Sequence, residues 1–123
     1  MIFGIGVDVV HIQRIEHWLS VPGLSERFFH PDELAQARSR GQSAPMSLAA
    51  RFAAKEAFGK ALGTGLRAMR LADIEVCNDT RGRPSIRLHG TALARFQAAG
   101  AGSVHLSLTH ERDNAIAMVV VEA

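Results

Sequence analysis

A chain of 123 residues is long enough for one domain with its own core and too short for two of ordinary size, so 1–123 is read as a single domain. With 47% hydrophobic and 21% charged residues it has the composition of a soluble globular protein, and no apolar run approaches the roughly 20 residues of a membrane helix. The net charge of +2 comes from scattered arginines rather than a basic block, which calls for no nucleic acid and suits an acidic partner or a phosphorylated small molecule.

The N-terminus lacks a basic start and a small-residue cleavage site, and it carries Asp8 in the middle of its first apolar stretch; the expected compartment is the cytoplasm. Residues 2–10 alternate, with Phe3, Ile5, Val7 and Val9 on one side and Gly4, Gly6 and Asp8 on the other, which predicts a strand. Asp8 is expected on an open face, where two glycines let a ligand or another backbone come close. Ile12, Ile15 and Leu19 recur at helical spacing and are expected to point inward, leaving Arg14 and Trp18 on a separate face. Pro22 and Gly23 end this helix. Pro31, followed by Asp32 and Glu33, opens a second one, because proline suits a first helical position and acids suit the positive end of the helix dipole. Residues 39–45 are rich in turn formers and are the best candidate for a mobile loop.

The alanine-rich stretch 47–62 is the strongest helix signal, with Gly63 as its stop. Residues 71–77 and 84–88 predict a hairpin around the turn 78–83. The single cysteine, Cys77, forms no internal disulfide and excludes a cysteine-based zinc site. Thr91 to Ala99 predicts a short helix stopped by Gly100. Val104, Leu106 and Leu108 then alternate with Ser103, His105, Ser107 and Thr109 as in a half-buried strand. Ala115 to Val121 is apolar throughout and predicts a strand covered on both faces, after a turn at Asp113-Asn114. Strands and helices mix without a βαβ rhythm, so the fold class is α+β with a largely antiparallel sheet.

The chain's only two lysines, Lys55 and Lys60, both stand close to Glu56 on the long helix, while every other basic residue is an arginine. Compact lysine charges in that setting suggest neutralisation of phosphate or protonation of a leaving group. Asp8 and Glu56 are far apart in sequence but offer the hard oxygens that a magnesium ion takes one or two at a time. Two plainer readings stand beside this one: Glu56 pairs with Lys60 at i+4, and Asp8 pairs with an arginine. Gly63-Thr64-Gly65 follows a helix rather than preceding one, so it is no Walker loop, and the pattern alone favours a helix cap. His105 and His110 flank Ser107 and Thr109. No nucleophile elbow surrounds these hydroxyls, and His105 is either a polar ligand contact or a surface histidine.

Over nearly its whole length the chain resembles the small trimeric holo-acyl-carrier-protein synthases, bacterial phosphopantetheinyl transferases. The resemblance rests on Gly4-Ile5-Gly6-Val7-Asp8-Val9-Val10 with Arg14-Ile15-Glu16, and on Arg51-Phe52-Ala53-Ala54-Lys55-Glu56-Ala57 with Lys60-Ala61-Leu62-Gly63-Thr64-Gly65. Gly82-Arg83-Pro84 and His105-Leu106-Ser107-Leu108-Thr109-His110 complete it. It implies transfer of the phosphopantetheine arm of coenzyme A to a serine of an apo carrier protein, at sites between the subunits of a homotrimer. By resemblance Asp8 and Glu56 hold magnesium, and Lys60 lies by the bridging oxygen of the diphosphate. Arg51, Gly63, Thr64, Gly65, Arg83, Pro84, His105 and Thr109 lie around the nucleotide. Arg14 with Trp18, and Arg27 with Phe28, meet the acidic helix of acyl carrier protein. His11 departs from the family, which often has an acid there, and residues 19–42 align poorly. Two rival classes are a coenzyme A binding module without catalysis and an oligomeric interaction domain docking through Arg14 and Trp18.

Overall fold

The computed structural model describes residues 1–123 and has five strands and five α-helices. In chain order these are β1 (Ile2–His11), α1 (Ile12–Leu19), α2 (Leu24–Phe28), α3 (Pro31–Arg38), α4 (Ala44–Leu62), β2 (Ile74–Asn78), β3 (Pro84–Leu88), α5 (Gly90–Ala98), β4 (Ser103–Glu111) and β5 (Asn114–Glu122). The strands form an antiparallel sheet in the order β1-β5-β4 and a separate antiparallel hairpin, β2-β3. The α+β class and the antiparallel sheet are therefore as expected.

The centre of the fold is the contact between α4 and β1. A Cβ placed on Gly4 would lie 2.0 Å from the carbonyl oxygen of Ala61, and one on Gly6 would lie 2.0 Å from that of Ala57. The two glycines thus let helix backbone rest on strand backbone, and buried Ala53, Ala54, Ala57 and Ala61 keep the helix surface low enough to do so. What approaches the glycine face is α4 itself. The alternation in β1 is real, but its apolar side is the outer one: Ile5, Val7 and Val9 are 60%, 55% and 56% exposed, while Val10, on the glycine side, is buried.

β5 departs from expectation in the same sense. Ala115, Ala117, Val119 and Val121 are buried against α4, whereas Met118, on the other face, is 49% exposed. The antiparallel register places Ile5 beside Val120, Val7 beside Met118 and Val9 beside Ile116. One sheet face is covered by α4, and the other is an apolar stripe without cover in the single chain.

Several boundaries and faces shift. Trp18, not Leu19, turns inward: its ring lies 5.0 Å from Phe28 and 4.9 Å edge-on from Phe52, and Leu19 is 41% exposed. The large indole gains more by burial than a leucine at the helix end. α2 was not expected from the sequence, being barely longer than one turn. The stretch 39–45 contains a 3-10 turn at Gly41–Ser43 and the start of α4, with Pro45 in its first turn. Residues 71–73 form a 3-10 turn, so the strand begins at Ile74. α4 ends as predicted, with Gly63 at φ 81° and its N–H donating to the Lys60 carbonyl.

A buried charge network ties α3, α4 and β2 together. Lys55 Nζ donates to Glu33 Oε1 at 2.7 Å, to the Leu71 carbonyl at 2.8 Å and to the Ile74 carbonyl. Glu33 also accepts from the backbone N–H groups of Val76 and His30. Arg51 donates to the Val76 carbonyl, to Gln36 Oε1 at 2.7 Å and to Ser47 Oγ at 3.3 Å. Lys55 is thus committed to the scaffold, which answers the question raised by two lysines near one glutamate: only Lys60 is exposed.

Candidate active site

The α4–β1 contact brings together residues from both motifs. Asp8 pairs with Ala117 on the side of the sheet that α4 covers, one strand repeat beyond Gly6. Lys60 lies on the last turn of α4, and its Nζ crosses to β1, donating to Asp8 Oδ1 at 3.0 Å and to the Val7 carbonyl at 2.9 Å. The expected partners are therefore exchanged: Lys60 pairs with Asp8 rather than with Glu56 four residues before it, and Asp8 is paired by a lysine rather than an arginine.

Glu56 completes the group. Burial pushes its carboxyl above the usual range, and the negative charge of Asp8 pushes the same way, while Lys60 and Arg14 act against both. Two carboxylates and one lysine thus share a half-buried site in which a second positive charge would be stabilised. Its oxygen donors are those that magnesium selects, and a single lysine does not satisfy both acids. Asp8 and Glu56 are the residues that would hold such an ion.

Arg14 lies above an aromatic platform, with its guanidinium carbon 4.9 Å from the Trp18 ring centre and 5.4 Å from that of Phe52. Arg14 and Arg27 are exposed, whereas Trp18 and Phe28 are half-buried and pack on one another. Trp18 supports Arg14 more than it presents itself.

The remaining site candidates fall into three places. Arg83, Pro84 and His105 line one cleft together with Asp79. His105 Nε2 lies 2.6 Å from Glu122 Oε1, and that contact holds the exposed Glu122 carboxyl below the usual range. Arg51 and Thr109 line a second cavity, where Arg40 is a further cation. Arg51 is 2% exposed, and three of its donors are already engaged by the scaffold. Sequence reasoning missed Arg40, whose only signal was a basic residue among turn formers. Gly63, Thr64 and Gly65 cap α4, with the Gly65 N–H donating to the Gly59 carbonyl at 3.0 Å, and Thr64 shares a shallow cleft with Arg95.

Register decides how these places relate. His105 and Thr109 pair with Val120 and Ile116, on the uncovered side of the sheet, whereas Asp8 is on the side facing α4. Within one chain the acids and the His105–Thr109 row are therefore on opposite faces.

A family model described as the 4'-phosphopantetheinyl transferase superfamily matches residues 4–119. The chain is 53% identical over 122 residues to a holo-(acyl-carrier-protein) synthase of Treponema denticola, covering 99% of each protein. Its fold superposes on the crystal structure of the holo-(acyl-carrier-protein) synthase of Neisseria meningitidis with a TM-score of 0.90 at 36% identity, covering 100% of both chains. The Helicobacter pylori enzyme of the same name, solved in complex with coenzyme A, matches with a TM-score of 0.82 at 31% identity over 96% of this chain and 99% of that one. The convergence of Asp8, Glu56 and Lys60 and these full-length likenesses lead to one assignment: the chain belongs to the 4'-phosphopantetheinyl transferase superfamily and, within it, to the holo-acyl-carrier-protein synthases.

Proposed function

We propose that this chain transfers the 4'-phosphopantetheine arm of coenzyme A to a serine of apo-acyl carrier protein, releasing adenosine 3',5'-bisphosphate, with magnesium and in the service of fatty acid biosynthesis in the cytoplasm. The observation that carries this reading is the Asp8–Glu56–Lys60 group, in which Lys60 bonds Asp8 and the charge of Asp8 bears on Glu56. The coenzyme A bound to the Helicobacter pylori enzyme supports the choice of substrate.

In this reading the serine oxygen attacks the phosphorus that carries the pantetheine arm, and the bond from that phosphorus to the bridging oxygen breaks. The electron pair leaves with the adenosine bisphosphate. Asp8 and Glu56 would hold magnesium, which, when bound, supplies the charge that neutralises the diphosphate. Lys60, already on an exposed edge, stabilises the charge that develops on the departing phosphate. The serine proton goes to a base in this group, Glu56 itself or a water beside it. Arg83, Pro84, His105 and Thr109, with Arg51 behind them and Gly63, Thr64 and Gly65 at the end of α4, surround the nucleotide.

The placement of His105 and Thr109 on the sheet face opposite Asp8 supports a site shared between copies. The apolar stripe of Ile5, Val7, Val9, Ile116, Met118 and Val120 on the same face as His105 and Thr109 supports the assembly that would create it, a homotrimer. Arg14 and Arg27 suit the acidic carrier protein. No helix is long and apolar enough to cross a membrane, and the basic residues form no block for nucleic acid.

The test is the intact mass of apo carrier protein incubated with this chain, coenzyme A and magnesium. The carrier gains one phosphopantetheine arm, and Asp8→Ala abolishes the gain. An unchanged carrier mass in the complete mixture sinks the transferase reading, and light scattering that gives a monomer at working concentration sinks the shared site.

A further inference from the structure

A second group of ligating side chains lies away from the acids of the candidate active site, at the junction of α3, β2 and α5. One ligand atom each from His30, Glu75 and His89 lies within 4.8 Å of the others. Glu75 is 4% exposed, and the two histidines are half-buried beside it. Their imidazole rings are stacked, with centroids 5.0 Å apart and planes 22° from parallel. From these three side chains we infer a transition-metal site with zinc as its preferred ion, independent of the magnesium carboxylates.

The geometry separates the two imidazoles by role. His89 Nε2 is 2.8 Å from Glu75 Oε1, a hydrogen bond that by itself satisfies that oxygen. His30 Nδ1 is 4.0 Å from Glu75 Oε2, too far for a hydrogen bond. A tetrahedral ion bonded at about 2.0–2.2 Å to each would need these two atoms about 0.7 Å closer. Separations of at most 4.8 Å close by up to about 1.5 Å, shared between two half-buried side chains, to reach the tetrahedral ligand spacing of about 3.3 Å that follows from those bond lengths. Two imidazoles and one carboxylate are a zinc donor set, with water in the fourth position; a site for magnesium would carry oxygens only.

The cost is visible and small. His30 Nδ1 accepts the Asp32 N–H at 3.1 Å as the cap of α3, and this hydrogen bond is exposed, so water can take over the donor. The second half of the capping box, Glu33 Oε1 accepting the His30 N–H at 2.9 Å, does not involve the ring. In return the ion joins the first residue of α3's cap, the first half of β2 and the residue before α5. These lie at positions 30, 75 and 89, so no local spacing in the sequence announces the group.

The probes are zinc and cobalt added to the metal-free full-length chain carrying Asp8→Ala, which removes the acid pair as a competing site. Free zinc a hundredfold above its dissociation constant raises the melting temperature by roughly 10 °C. Cobalt gives the intense visible absorption of a four-coordinate centre. Both signals are lost in the further double variant His30→Asn/His89→Asn, which keeps a strong helix cap. Against an otherwise native background the double variant retains full carrier modification in magnesium, since neither histidine is in the transferase group. No melting shift with zinc, the weak absorption of six-coordinate cobalt, or retention of either signal by the double variant with loss in His105→Asn would each overturn the site.

Discussion

Helix α4 carries two charge groups of the same size that behave as opposites. On one side, Lys55 and Arg51 meet Glu33 with the side chains of all three at 0–2% exposure. On the other, Lys60 meets Asp8 at 53% and 18% exposure, and Glu56 stands beside them with its carboxyl pushed up by burial and by Asp8. Lys55 and Glu56 are neighbours in sequence, but about 100° of helix rotation sends one into the scaffold and the other to the surface. The buried group has protein partners for its charges. In the exposed group two acids repel each other over one lysine, so a further cation improves it. Stability is held on one side of the helix, and the proposed chemistry lies on the other.

The comparison breaks most readily at Lys55. Lys55→Met leaves the Glu33 carboxylate buried opposite a methyl group, and loss of one partner of a buried pair costs about 3–5 kcal/mol. That is a large part of the 5–15 kcal/mol typical of a whole domain. Urea unfolding should show the loss, whereas Lys60→Met should change stability by under about 1 kcal/mol, because Lys60 is exposed and water screens the pair. Equal losses in the two variants would erase the distinction between the groups.

Glu56→Gln sharpens it from the other side. Carrier modification should fall by about 10²–10⁴-fold, the range for removal of a positioned acid or base. The melting temperature in chelator at neutral pH should stay level or rise, because the anion being removed is disfavoured by its surroundings. A time course of carrier mass and a melting curve on the same preparation settle both halves. A variant that loses activity and stability together would place Glu56 with the scaffold instead.

What the sequence disclosed follows the same division. Asp8, Glu56 and Lys60 were legible because a strand acid between glycines and a helix acid beside lysines are unusual choices, and Gly4 and Gly6 foretold a close approach. The approaching partner was α4, since only a helix surface of alanines such as Ala57 and Ala61 fits against bare strand backbone. Alternation in β1 showed that two faces differ, but not which face a helix would cover, and so Ile5, Val7 and Val9 emerged on the outside. The buried role of Lys55 was hidden because its partner Glu33 lies 22 residues away. Trp18 and Leu19 are adjacent, so a rotation of one residue decided which became core.

A third carboxylate, Asp73, marks the middle of the scale and tests how far a hydrogen-bonded acid outside both groups contributes. Its Oδ2 accepts the Thr91 N–H at 2.9 Å and the Thr91 hydroxyl at 2.6 Å, and Thr91 Oγ1 in turn accepts the Arg70 N–H at 2.8 Å. Gly90, at φ 41°, stands so close that an added Cβ would lie 2.9 Å from the same oxygen, so the turn into α5 is shaped around this acid. Burial pushes the Asp73 carboxyl up, but the two hydrogen bonds from Thr91, with Arg70 and His89, outweigh it and hold the group below its ordinary 3.8. A carboxyl depressed by folding adds stability that is fully present above its unfolded value and is lost as the pH falls through the folded one. Asp73→Asn keeps an acceptor and removes the charge, so it should cost about 1 kcal/mol at pH 6–7. Denaturant midpoints in chelator should show the two proteins converging as the pH falls below about 4, near the ordinary aspartate value. A gap that persists undiminished in acid would mean that shape around Gly90, rather than the anion, holds the start of α5.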